Sequence, residues 1–224
     1  MAADTIGGGI NDDGSLQNTL VIDEADLGKI DIVSLVNAER TELAVNSKVE
    51  NVQIGLKGDI DTVTAGKMLI NPVISNEAPK GETANIAISN TKIKNLEFVT
   101  PGKGNTSLDV REGKFVKGSI TTSKNKAQDS INFGATTTVN SSSIVTGRGA
   151  DTITFSGGLK LKGKTTVESG KGKDVVEIGE KRDGKGKLIL SDFSKKDRLF
   201  VGDEKLRLKD IENGDAPGWV RLDT

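Results

Sequence analysis

Two short stretches carry residues whose types and spacing could do chemistry. T-G-R-G-A-D at 146–151 and S-G-K-G-K-D at 169–174 each place an aspartate two residues after a Gly-x-Gly, and Asp151 and Asp174 lie 23 residues apart. Such a set can offer oxygen to calcium, which takes six to eight oxygen ligands at about 2.3–2.6 Å from carboxylates and turn carbonyls. The charge would come from Asp151 and Asp174, and the carbonyls from Gly147, Gly149, Gly170 and Gly172. The competing reading is that Gly-x-Gly permits positive φ at a tight corner while the aspartate caps the turn. Arg148, Lys171 and Lys173 stand beside the aspartates and would repel a cation, which favours corners without an ion.

Calcium is the one cofactor these residues raise. The chain has no His and no Cys, which excludes Cys nucleophiles, Ser-His-Asp triads, His bases and ordinary zinc or copper sites. With six Phe, one Trp and no Tyr in 224 residues, platforms for stacking bases are lacking, so no specific nucleic acid is expected. No apolar run approaches the ~18–20 residues of a membrane helix, and M-A-A-D-T-I-G-G-G-I at the start has neither the basic nor the apolar region of a classical signal peptide. Glycosidases need two carboxylates about 5–10 Å apart; outside the Asp turns the acidic residues do not cluster, and no catalytic residue is assigned. A β-helical polysaccharide lyase with a Lys or Arg base is the enzymatic alternative. The lysine-rich band 160–196, from Lys160, Lys162 and Lys164 to Lys195 and Lys196, is a candidate surface for acidic glycans, or simply the solvated face of strands. Charge is also uneven: residues 1–63 hold 12 acidic and 4 basic residues, a net of −8 within a chain of net −1.

The elements that position these turns repeat. Leading residues Asn18, Thr41, Asp61, Ala84, Thr106, Asp129, Asp151, Asp174 and Asp197 are spaced 20–23 apart, and each is followed by apolar residues two and four positions later, such as Leu108 and Val110 or Ile153 and Phe155. Period-2 apolarity means strands with one buried face. A unit this small cannot bury that face alone, but stacked at the ~4.8 Å strand spacing it can. The expected fold is all-β: a parallel β-solenoid, right-handed, of about nine coils of 22–23 residues. Residues 18–202 form the solenoid, 1–17 an N-terminal arm or cap, and 203–224, with Trp219, a C-terminal cap or docking segment. Asp23 to Val36 is the one stretch read as helical.

Residues 146–153 and 169–176 resemble the G-G-x-G-x-D-x-U-x nonapeptide of the repeats-in-toxin, or hemolysin-type, calcium-binding β-roll. The resemblance covers about 146–201; it departs at Thr146 and Ser169, where the family has glycine, and in having one nonapeptide per coil. It implies a secreted or cell-surface calcium-binding protein. Composition resembles proteins of marine cyanobacteria and their phages, and β-helices commonly serve virions as stiff spacers. The leading expectation is therefore a non-enzymatic virion component of capsid-decoration or tail-fibre type, a homo-oligomer that meets other virion or surface proteins through its termini; extracellular or cell-surface placement is the alternative.

Overall fold

The computed structural model describes residues 5–10, 16–22, 27–32, 40–45, 48–56, 60–65 and 68–69 as strand backbone. It describes residues 70–223 with their side chains, other than 76–79, 89–91, 123, 159 and 180–183. Every extended sheet is built from parallel coils. The first face is an 11-stranded sheet whose two outermost strands are antiparallel, leaving nine parallel rungs from Leu16–Ile22 to Arg198–Val201. A 14-stranded sheet folds into the other two faces. The second face runs through Met68–Ile70, Lys92–Lys94, Lys114–Val116, Thr138–Asn140 and Lys160–Lys162, and the third through Val73–Asn76, Glu97–Val99, Ser119–Thr121, Ser143–Val145 and Lys164–Glu168.

The nine expected coils are thus rungs of one face. Coils with a separate strand on each of three faces number about five, starting at Ile60, Thr83, Asn105, Ser130 and Thr152. In the coil before these, the single strand Lys48–Leu56 spans both other faces, pairing with Met68–Ile70 and with Val73–Asn76.

Alternation dictates what points inward. Along Asn105–Arg111, Thr106, Leu108 and Val110 are buried and their neighbours are not. In-register pairing places Ile86 beside Leu108, then Ile131, Ile153, Val176 and Leu199, and Ile88 beside Val110, Phe133, Phe155 and Ile178, all buried. Rings stack between coils, with Phe133 and Phe155 centroids 5.3 Å apart and 7° from parallel. Opposite them, Ile93, Phe115, Val139 and Leu161 line the second face and Ile74, Phe98, Ile120, Ile144 and Val167 the third, closing one apolar core.

Register differs from the sequence expectation at one step. Asp61 and Val63 pair with Ile86 and Ile88, not with Ala84 and Ile86. A slip of two residues keeps every side chain on its own face, so alternation cannot distinguish the two alignments. The stretch read as helical holds a strand instead, Leu27–Ile32, paired with Lys48–Leu56; Ile30 and Ile32 alternate around Asp31, and the rest of 23–36 lies outside the described residues.

Both ends of the stack are covered by a reversed strand. Thr5–Ile10 lies antiparallel on Leu16–Ile22. At the other end Gly202, at φ 59, takes the first central position of a two-residue turn that sends Glu204–Leu206 back along Arg198–Val201. The chain then forms a short helix, Leu208–Glu212, and adds Val220–Leu222 to the third face, with Trp219 packed against the core.

Candidate functional site at the glycine–aspartate corner

The corner between the third face of one coil and the first face of the next contains every site residue raised by the sequence. It carries its own small parallel sheet of Lys126–Ala127, Arg148–Gly149 and Lys171–Gly172. The backbones lie very close here. A Cβ on Gly172 would stand 1.6 Å from the Gly149 carbonyl oxygen, and one on Gly170, at φ 82, would stand 1.7 Å from that of Gly147. Glycine is therefore required by the stacking distance as much as by φ.

Immediately inside this sheet runs a column of buried carboxylates. Asp129, Asp151, Asp174 and Asp197 are 2%, 1%, 1% and 0% exposed. Each uses Oδ1 to accept the backbone N–H of the leading residue one coil earlier: Thr106 N–H to Asp129 at 2.8 Å, Asp129 to Asp151 at 2.9 Å, Asp151 to Asp174 at 3.0 Å, and Asp174 to Asp197 at 3.0 Å. The aspartate thus extends the sheet ladder sideways through its side chain. For an ion-free corner the sequence predicts hydrogen bonds within each aspartate's own turn; among the described residues Asp197 alone makes such a backbone bond, from Ser194 N–H at 2.6 Å, and all four accept across to the preceding coil instead.

The second oxygens differ. Asp129 Oδ2 accepts the Thr122 hydroxyl at 2.5 Å. In the next two coils the equivalent hydroxyls are Thr146 and Ser169. Thr146 donates to the Ser169 carbonyl at 2.8 Å, while Asp151 Oδ2, Asp174 Oδ2 and the Ser169 hydroxyl are buried without a hydrogen bond. Desolvation dominates the electrostatics: burial pushes the Asp151 carboxyl up to about 7 and that of Asp174 up to about 6, opposed by the N–H each accepts and by the nearby Thr146 and Ser169 hydroxyls, and reinforced by the neighbouring aspartates. Asp129 is raised by the same burial, with Thr122 pulling it back. A carboxyl with such a value takes up a proton easily and then becomes a donor.

Asp151 and Asp174 thus come together one coil apart, as expected of calcium ligands. Their Oδ1 atoms hold backbone N–H groups, however, and the Gly147 carbonyl accepts Lys171 N–H at 3.0 Å. The carbonyl of Gly149 faces Gly172, and Gly170 packs on Gly147. Among the described residues no group of three or more His, Asp or Glu is placed to hold a metal ion. Of the oxygens of Asp151 and Asp174, the pair of Oδ2 atoms is what is left to a cation.

Several features lay outside the sequence reading. Asp192 accepts Ser169 N–H at 2.8 Å and Gly170 N–H at 2.7 Å, so it caps the corner of the coil before it; its spacing of 23 from Ser169 was the available signal. The corner between second and third faces is a single left-handed residue in five successive coils, Asn71, Asn95, Lys117, Ser141 and Gly163, at φ 50–63. The lysine band, in turn, is divided among surfaces. Lys160 and Lys162 lie on the second face, Lys164 and Lys187 on the third, Lys171 and Lys173 at the corner, and Lys181 and Arg182 outside the described residues. No protein family, curated protein or solved structure matches the chain.

Proposed function

We propose that this chain is a non-enzymatic structural element, a virion component of capsid-decoration or tail-fibre type. The observation that carries the non-enzymatic part is the use made of its buried acids. All four withdrawn carboxylates, Asp129, Asp151, Asp174 and Asp197, are spent on joining one coil to the next. A stack held by core columns, ring stacking and a side-chain ladder along one edge is stiff by construction. Reversed strands at both ends support a unit of defined length, with its contacts to other proteins made by the end segments or along its sides. The test is localisation joined to activity. Antibodies against the chain should label virus particles from its source, and the purified protein should leave neutral and acidic polysaccharides uncut; labelling of cell surfaces, or release of unsaturated sugars, replaces this reading.

A second reading, a secreted or cell-surface calcium-binding protein, is favoured by the two unpartnered Oδ2 atoms of Asp151 and Asp174. Calorimetric titration with Ca²⁺ decides it: micromolar binding that Asp151→Asn abolishes would establish the site.

A further inference from the structure

We propose that the outer edge of the glycine–aspartate corner is a docking strip for a linear acidic polysaccharide lying along the stack. Parallel pairing puts Lys126, Arg148 and Lys171 in register on three successive coils, all exposed. Lys103 holds the same place in the repeat one coil earlier, three residues before Thr106 as Lys126 is before Asp129. Three cations therefore follow one another at the coil spacing of ~4.8 Å, with Lys103 at the matching repeat position before them. Other outward columns are interrupted: Lys92, Lys114 and Lys160 on the second face are broken by Thr138, and the first face carries Asp109, Asn132, Thr154 and Glu177.

Stacked like charges repel, and at the corner no neutral or acidic residue separates the three that pair. Among the described residues none of Lys126, Arg148 and Lys171 forms an ion pair. Asp129, Asp151 and Asp174, each three residues after its cation, point inward and are committed to the ladder, while Glu168 and Asp192 share an adjoining recess with Arg148 and Lys171. The strip opens on a recess of about 470 Å³ lined by Lys126, Arg148, Gly149 and Lys171. The glycines keep its floor free of side chains, so a chain can lie against the backbone while Arg148 offers its planar fork to a carboxylate or sulfate.

The occupant is a polyanion with closely and evenly spaced charges. Nucleic acid is the poorer fit, because single strands bind by stacking bases on aromatic rings. Phe98, Phe115, Phe133 and Phe155 are fully buried in the core, while Phe200 and Trp219 belong to the last coil and the segment closing it. A uronate or sulfated polymer needs only the cations.

The experiment measures binding of the full chain to polygalacturonate, heparin, dextran and oligo(dT) over a range of salt. Polygalacturonate or heparin should bind and dextran should not. The triple variant Lys126→Gln, Arg148→Gln, Lys171→Gln should lose about tenfold in affinity and show a shallower dependence on salt. The equally charged control Lys92→Gln, Lys114→Gln, Lys162→Gln, exposed on the second face, should stay within about twofold of the parent. Equal losses in both triples would reduce the strip to general charge. No binding to either acidic polymer at low salt, or tighter corner-dependent binding of oligo(dT), would overturn the proposal. Matching melting curves for parent and variants establish that the fold survives.

Discussion

Asp151→Asn should make this protein more stable at pH 8, against the usual cost of changing a buried residue. The reason lies in the sign of the shift. A carboxyl depressed by folding stabilises at neutral pH; here burial holds Asp151 at about 7 and Asp174 at about 6, against 3.8 for the free group. Between roughly pH 4 and 7 the folded chain therefore keeps protons that the unfolded chain has released, so stability grows as pH falls through that window. Taken alone, the carboxyl of Asp151 would contribute about 2 kcal/mol between pH 7 and pH 5 and that of Asp174 about 1 kcal/mol. Because neighbouring aspartates, including Asp129, Asp192 and Asp197, supply part of each shift, the pair is worth about 2 kcal/mol together. For a chain of this length that is a melting temperature about 4–8 °C higher at pH 5 than at pH 7. Asparagine keeps the Oδ1 that accepts Asp129 N–H and puts a neutral amide where Oδ2 has no partner. The variant should gain about 1–2 kcal/mol at pH 8 and nothing near pH 5. Urea unfolding at constant ionic strength reads both curves. Asp151→Ala is the control: it strips the acceptor from Asp129 N–H and should cost about 1–3 kcal/mol at either pH. A parent whose stability is flat or falls from pH 7 to 5, or an Asn variant weaker than the parent at pH 8, would refute the reasoning.

Chelator added to the purified protein should leave its melting curve unchanged; a drop of several degrees, restored by Ca²⁺, would mean that the two free Oδ2 atoms hold an ion whose binding energy supports the fold. Gly172→Ala should cost more than about 2 kcal/mol, since its Cβ would meet the Gly149 carbonyl oxygen at 1.6 Å, and a near-neutral result would show that the corner can open. Ile153→Asp should abolish cooperative unfolding, because a carboxylate would replace a side chain that is 1% exposed between Ile131 and Val176. Ending the chain at Gly202 should produce concentration-dependent association on size-exclusion chromatography, because the edge of Arg198–Val201 loses its antiparallel cover; a monomeric product would assign the segment another role.

How much of this could be read beforehand follows from what repeats. From Ile86 to Leu199 each column step is set by two apolar residues at fixed offsets from a leader that is polar in every unit but that of Ala84, and those columns stack as the spacing implies. Val63 falls beside Ile88 because a two-residue slip leaves burial unchanged and only backbone geometry decides it. The left-handed corner escaped notice because Asn71, Asn95, Lys117, Ser141 and Gly163 share a φ and not a residue type. The aspartates were visible as a pair, but their donors were not: an acceptor 23 residues downstream looks, on paper, like a ligand waiting for an ion. The cationic strip was hidden by counting lysines along the chain, when Lys126, Arg148 and Lys171 become neighbours only once the period is folded up.

The reversed strands that close each end also make length a quantised property of this protein. Thr5–Ile10 pairs with the first rung, and Glu204–Leu206 with the last. Duplicating one internal unit, such as the 23 residues from Thr152 to Asp174, would therefore lengthen the stack by one step of ~4.8 Å. Neither terminus would meet a changed surface, and the aspartate column would gain one more member. A chain with one unit more or fewer would differ from this one as rulers differ in their number of divisions, with both ends remaining the same object.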